Sequence, residues 1–378
     1  MPRAAPVILQ VLPAMGGGGV ERGTVEIAAA IASAGWTSLV ASSGGKREAE
    51  LQRAGARHIT LPLGRKAPWA IRANARRLAT LIRAEGIKIV HARSRAPAWA
   101  AWLACRATGA HLVTTWHGIY NENLPLKRRY NAIMARGERV IAISDYVARH
   151  LTHRTGIDPS RVRVIHRGVD PALFDPDAVP PQSIEALARA WDLLDGQTTV
   201  MLPGRLTRWK GQSVLIAALA RLGRSDIRCL LVGDDQGRTA YRAELERQAR
   251  AAGVPLTIAG HVGNMPAALM LADVVVHAST DAEAFGRVVI EAQAMGRPVI
   301  ASDLGGPAET VEPGVTGWRV PPGDPEALAE AIAYVLTLPA EARAQLARQA
   351  RAVVLARFTT ARMQAATLDV YREVLGLA

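Results

Sequence analysis

The chain has 378 residues, more than the roughly 250–300 that one hydrophobic core sustains, so two domains are expected. With 49% hydrophobic and 21% charged residues, it is neither wholly disordered nor collagen-like, and its longest apolar run, the ten residues Ala96–Cys105, is about half of a membrane span. The formal charge of +13 is unevenly placed, with a net +15 over residues 1–175 and −2 over 176–378, so the first half suits an anionic partner such as a phospholipid surface, a phosphorylated glycolipid or nucleic acid, unless it is simply a solvated arginine-rich surface.

Arg3 before the apolar stretch Val7–Leu12 imitates a secretion signal, but the stretch is short and four glycines follow at once, so it reads as a buried first strand. Strand-like runs then occur at Thr37–Ala41, His58–Leu61, Ile87–Val90, His111–Thr115, Val140–Ser144 and Val162–His166. Helical patterns lie between them at Gly23–Ala34, Glu48–Ala54, Ile71–Glu85 and Pro97–Thr108. Alternation of this kind predicts a parallel sheet covered on both faces. Pro and Asp dominate residues 171–182, the best linker.

A second series follows, with strands at Thr199–Leu202, Arg228–Val232, Leu256–Ala259, Val274–His277, Pro298–Ser302 and Gly317–Val320. Its helices are Ser213–Leu222, Ala240–Ala252, Met265–Ala272, Arg287–Met295 and Pro325–Leu336, with a helical tail to Leu377. The expected organisation is a domain over 1–170, the linker 171–182, a domain over 183–356, and a helix at 357–378 crossing back to the first domain. The fold class is α/β: two facing Rossmann-like, doubly wound parallel-sheet domains with a cleft between them. Ligands of such sheets sit beyond the carboxyl ends of strands, so the loops after strands carry the chemistry.

Three of these loops stand out. Gly16–Gly19 follows the first strand and opens a helix, which suits close approach to a phosphate but equally a tight turn without a ligand. It lacks the spacing of a dinucleotide fingerprint. Gly204-Arg205-Leu206-Thr207-Arg208-Trp209-Lys210-Gly211 places Arg205 and Lys210 across a short loop, where both cations can reach one diphosphate. Lys210 is the only lysine in residues 176–378. Glu283 and Glu291, separated by seven residues, bracket a helix start at Phe285-Gly286-Arg287-Val288 whose free N–H groups favour an anion. One carboxylate can then meet a sugar and the other a ribose.

Together, the Glu-x7-Glu segment within EAFGRVVIEAQAMGRPVIAS, the GRLTRWKG loop and the GGGGVERGT opening resemble the family 4 retaining glycosyltransferases of GT-B fold, over essentially the whole chain. The resemblance implies a second domain that binds a nucleotide-diphosphate sugar and a first domain that binds the acceptor. By position, it gives the diphosphate to Arg205 and Lys210, and the donor-sugar hydroxyls to Glu283. It gives backbone N–H contacts to Phe285, Gly286, Arg287 and Val288, the ribose to Glu291, and closure over the phosphates to Gly17 and Gly18. His117 would lie beside the donor sugar. Val262 belongs to the loop expected to meet the base. His91, Arg93 and Arg95 would line the acceptor side, although that segment reads as readily as a solvated turn. Arg167 stands where the family more usually has asparagine.

The mechanism implied is front-face substitution of an oxocarbenium-like sugar, on a lipid-linked or phosphorylated saccharide of lipopolysaccharide or related envelope glycan assembly. Other expectations concern partners. Asp175-Pro176-Asp177 matches a DxD metal motif but lies in the linker, so no metal or other cofactor is expected. Two cysteines far apart, Cys105 and Cys229, build no disulfide scaffold and suit a reducing cytosol. Arginine and apolar residues mix at helical spacing over Trp69–Arg83 and Lys127–Arg136, which fits either a helix lying on anionic lipid at the cytoplasmic face of an inner membrane or an ordinary helix with a basic outer face. The alternatives are another GT-B enzyme, an epimerase or phosphorylase, or a basic nucleic-acid-binding protein. The latter lacks interleaved aromatics, a helix-turn-helix or a zinc motif, so no nucleic-acid partner is expected.

Overall fold

The computed structural model describes residues 5–120, 123–193 and 196–377. It divides into two compact units. The first comprises Met1–Arg167 and Ala361–Ala378, the second Gly168–Thr360.

In chain order the first unit carries β1 (Val7–Val11), α1 (Gly19–Ser33), β2 (Thr37–Ser42), α2 (Glu48–Arg53), β3 (Arg57–Thr60), α3 (Pro68–Glu85), β4 (Ile87–Ala92), α4 (Arg95–Thr108), β5 (His111–Trp116), α5 (Pro125–Asn131), β6 (Arg139–Ala142), α6 (Asp145–Thr155) and β7 (Val162–Val164). All pairings are parallel, in the order β3-β2-β1-β4-β5-β6-β7. The central strands β1, β4, β5 and β6 are almost wholly buried, as a parallel sheet covered on both faces requires, whereas the edge strands β3 and β7 bury no residue. Ile8, Ile89, Val113 and Ile141 from four of these strands meet Ile27 and Ile31 of α1 in one buried cluster.

The second unit carries α7 (Pro181–Ala190), β8 (Thr198–Pro203), α8 (Gln212–Leu222), β9 (Ile227–Val232), α9 (Thr239–Ala251), β10 (Leu256–Gly260), α10 (Met265–Met270), β11 (Val274–His277), α11 (Arg287–Ala294), β12 (Val299–Ser302), α12 (Pro307–Thr310), β13 (Trp318–Val320), α13 (Pro325–Thr337) and α14 (Ala340–Arg357). Its sheet is parallel in the order β10-β9-β8-β11-β12-β13. The last helix, α15 (Thr360–Val374), places Met363, Val370 and Tyr371 in the core of the first unit.

Several local expectations change. The first helix starts at Gly19, four positions before the expected Gly23, so the glycine segment is partly its first turn. β4 runs on to Ala92, which takes His91 into the sheet. α7 begins inside the expected linker, at Pro181, and none of its residues is fully buried. Asp175 is also committed locally: its Oδ1 accepts from Arg351 Nη2 at 3.1 Å and from the Asp177 amide at 3.3 Å, closing a 3-10 turn.

Candidate functional site

In the second unit the chemistry gathers at the carboxyl ends of β8 and β11. β8 ends at Pro203 and the chain turns through Gly204–Gly211, closing with a 3-10 turn at Arg208–Lys210. Gly211 has φ +74, and a Cβ there would collide with the Ala278 carbonyl oxygen, so only glycine lets this turn approach the end of β11 so closely. The Thr280 amide donates to Trp209 O at 2.8 Å and fastens the two segments.

This approach decides where Lys210 goes. Its Nζ donates to Glu283 Oε2 at 2.6 Å, and His277 Nε2, at the end of β11, donates to the same oxygen at 2.7 Å. Side-chain exposures are 9% for Lys210, 21% for Glu283 and 3% for His277. Ser279 Oγ lies 3.1 Å from the same His277 nitrogen. Burial by itself raises the Glu283 carboxyl, but the Lys210 charge and the His277 hydrogen bond and charge outweigh it and hold the group well below the usual carboxylate range. Ser279 Oγ also reaches Glu283 Oε2, at 3.5 Å, so Glu283 is an anion at neutral pH with three donors gathered on one oxygen.

Arg205 and Lys210, expected on one diphosphate, have different surroundings. Lys210 is buried against Glu283, whereas Arg205 is exposed on the loop. Arg208, between them, pairs at 2.6 Å with both carboxylate oxygens of Glu244. Burial and the attached carboxylate explain why a lysine, with its compact charge, occupies position 210 in an otherwise arginine-using unit.

The helix start after Glu283 takes the expected shape. Gly286, φ +76, is the N-cap of α11, and a Cβ there would press on the Pro307 ring at 2.6 Å. Among the described residues no side chain caps this helix, and a helix start carries backbone N–H groups that lack intrahelical acceptors. Phe285 is buried and meets Phe358 edge-on at 6.2 Å. Arg287 donates from Nη2 to Gly168 O at 3.0 Å, and its Nε stands 3.7 Å from Glu291 Oε1. Glu291 itself is buried on α11. Val262 lies half-buried in the loop between β10 and α10.

In the first unit, Gly17 and Gly18 are exposed in the turn before α1, and among the described residues no side chain caps that helix either. His91 and Arg93, expected along an open acceptor-side turn, are interior groups at 0% and 2% exposure. His91 Nδ1 lies 2.6 Å from Tyr371 Oη and Nε2 2.6 Å from Thr115 Oγ1, so both ring nitrogens are occupied. Burial, reinforced by the nearby Arg93 and Arg167 charges, pushes this imidazole well below its ordinary pKa. Arg93 Nη1 donates to Gln10 Oε1 at 3.0 Å, and burial brings the guanidinium down to about 10. The solvated-turn reading fails for both because β4 continues past Val90. Arg95 opens α4, donates to Asn131 Oδ1 at 2.9 Å and lies over the Tyr120 ring at 4.3 Å.

His117 follows β5. Its Nδ1 stands 3.0 Å from Arg167 Nη2, and its Nε2 is buried with no hydrogen-bond partner among the described residues. The sequence reading missed His277 and Ser279 as site residues. The signal available was a polar residue closing an all-valine strand, Val274–Val276, six positions before Glu283. Lys210, which meets the same Glu283 oxygen, lies 67 positions away from His277 in the chain, beyond any local pattern.

Residues 183–353 match the family described as Glycosyl transferases group 1, and residues 17–173 match Glycosyltransferase Family 4. A crystal structure of a glycosyltransferase from Rickettsia africae is 36% identical, covers 99% of this chain and 100% of its own, and superposes with a TM-score of 0.92. Anabaena Alr3699/HepE, crystallised with UDP and glucose, is 26% identical over 96% of this chain and 98% of its own, with a TM-score of 0.82. The D-inositol 3-phosphate glycosyltransferase of Segniliparus rotundus is 32% identical over 275 residues, 68% of this chain, and the match spans 60% of that relative's length.

Proposed function

The chain belongs to the group 1, family 4 glycosyltransferases of GT-B fold, and we propose that it transfers a sugar from a nucleotide-diphosphate sugar to a phosphorylated or lipid-linked saccharide, with retention at the anomeric carbon and without a metal ion. The observation that carries the reading is the buried Lys210–Glu283–His277 cluster beside an uncapped helix start. The donors gathered on Oε2 keep Glu283 ionised and leave Oε1 to accept from the hydroxyls of a donor sugar. The same anion stabilises the positive charge that grows on the sugar as its bond to the diphosphate breaks.

The departing diphosphate collects its charge on Arg205, on Lys210 and on the amides at the start of α11, which removes the need for a divalent ion. In front-face substitution the anomeric C–O bond to the diphosphate breaks and the bond to the acceptor oxygen forms on the same face. The acceptor proton passes to a diphosphate oxygen. Glu291 holds the ribose hydroxyls. A uridine diphosphate donor is supported by the UDP complexes of the Anabaena protein, and a phosphorylated acceptor by the inositol-phosphate transferase relative. An envelope glycan acceptor, as in lipopolysaccharide assembly, fits the cationic first unit.

One surface favours a membrane-bound acceptor. α5 exposes Leu126 at 80% and, beside it, Lys127, Arg128 and Arg129. A surface hollow of about 310 Å³ is lined by Arg128, Arg129 and Arg154. Apolar tips among arginines suit the cytoplasmic face of an anionic bilayer. No helix among the described residues is long and apolar enough to cross one.

The test is calorimetric titration with UDP, GDP, UDP-glucose and GDP-mannose, followed by mass spectrometry of the product on a phosphorylated acceptor and NMR of its anomeric configuration. Binding of one diphosphate with transfer at retained configuration is expected. Binding of none of the four, or an inverted product, overturns the reading.

A further inference from the structure

His117 and Arg167 form a pair that the proposed reaction has not yet used. They lie 50 positions apart, the histidine just after β5 and the arginine at the end of the stretch that follows β7. Arg167 is only 6% exposed. Its Nη2 reaches Gly19 O at 3.3 Å as well as His117 Nδ1 at 3.0 Å, and its Nη1 lies 3.8 Å from Met363 Sδ.

A guanidinium has five N–H donors and no acceptor, and it stays protonated in proteins. The hydrogen bond between Arg167 and His117 therefore has one possible direction: Arg167 donates and Nδ1 accepts with its lone pair. A neutral imidazole carries one ring proton, so with Nδ1 accepting, that proton sits on Nε2. A doubly protonated ring would set an N–H against the guanidinium N–H. We propose that Arg167 is a positioning residue that holds His117 as the neutral Nε2–H tautomer, so that His117 serves as a hydrogen-bond donor to a substrate oxygen and not as a proton carrier.

Two further observations support this. His117 Nε2 is buried without a partner among the described residues, and a buried donor is rarely left unpaired unless a ligand completes it. The groups around the ring also oppose a positive charge on it. Burial comes first, then Arg167, then Arg93 and His91 from the β4 side, and together they push His117 well below its ordinary pKa. Around these neighbours, Tyr371 of α15 bonds His91, and Glu21 and Glu26 of α1 act on Arg93. The inference rests on the transferase reading for its use, since that reading supplies the substrate. The tautomer itself does not depend on that reading.

The experiment is long-range ¹⁵N–¹H correlation NMR of the full chain labelled at its histidine rings, with His117 assigned by its loss in His117→Gln. The wild-type protein is expected to show the neutral Nε2–H pattern from pH 5.5 to 8. In Arg167→Met the same resonances should titrate with a midpoint at least one pH unit higher, and a mixed tautomer population should appear. Arg167→Lys, which also only donates, should restore the wild-type pattern. An Nδ1–H pattern or a titration near pH 6.5 in the wild-type spectrum overturns the proposal even if Arg167→Met does not fold, and so does an unchanged spectrum in a folded Arg167→Met. UDP-glucose added to the wild type should shift Nε2 and its proton. If it shifts neither while the tautomer is as expected, the transferase reading of this site fails and the lock stands.

Discussion

Replacing Glu283 by glutamine tests whether Lys210 is held by a charge or merely stands near one. The variant keeps the shape of the side chain and one acceptor oxygen but removes the anion facing Lys210 Nζ at 2.6 Å and His277 Nε2 at 2.7 Å. Truncating one partner of a buried pair costs about 3–5 kcal/mol. Here an amide oxygen still accepts one hydrogen bond, so the loss of charge assistance leaves about 1.5–3 kcal/mol. For a unit of this size each kcal/mol shifts the melting temperature by roughly 2–4 °C, which places the expected drop at about 3–12 °C.

The pH dependence has a definite sign. The folded-state pKa of Glu283 is depressed, so its stabilisation is complete above the unfolded carboxyl value of about 4.3 and declines as pH falls below it toward the folded value. The difference between wild type and Glu283→Gln should be full at pH 7 and shrink progressively in acid. Guanidinium unfolding of Glu283→Gln, Lys210→Met and the double variant at pH 7 supplies the decisive number, a coupling energy of about 1.5 kcal/mol or more. If the two single variants add to within about 0.5 kcal/mol, and acid leaves the wild-type advantage of Glu283 unchanged, the pair is not the anchor described above.

Arg205→Ala should weaken UDP binding roughly ten- to a hundredfold by calorimetry, the worth of one charge-assisted contact; unchanged affinity removes its phosphate role. Glu291→Gln should raise the donor KM with little change in kcat, because a ribose contact is equally present in ground and transition states, and a large kcat loss would place Glu291 at the reacting sugar instead. Reversal of Lys127, Arg128 and Arg129 to glutamate should abolish binding to vesicles containing phosphatidylglycerol while transfer to a soluble acceptor persists; equal loss on both would mean damage to the fold or a direct acceptor contact. Turnover should survive excess EDTA, and a loss restored by magnesium or manganese would refute the metal-free mechanism.

The sequence alone determined that two parallel sheets would form, because a strand buried on both faces must be apolar throughout. Runs such as Val140–Ile143 and Val274–Val276 announce themselves wherever they sit. It also located the loops after strands, since glycines at 211 and 286 and the acids at 283 and 291 are local features. Helix α6 was not legible in the sequence: it buries only Val147 and Leu151, too few positions to give a clear period. Partners distant in the chain were decided by the tertiary structure alone. Lys210 meets Glu283 across 73 positions and Arg167 meets His117 across 50. Whether a cation is solvated, paired or donating to a ring nitrogen depends on what the folded chain packs against it. Arg205, Lys210 and Arg167 look alike in sequence yet end respectively exposed, ion-paired with a carboxylate and hydrogen-bonded to an imidazole, because only folding sets the burial and neighbours that distinguish one cation from another.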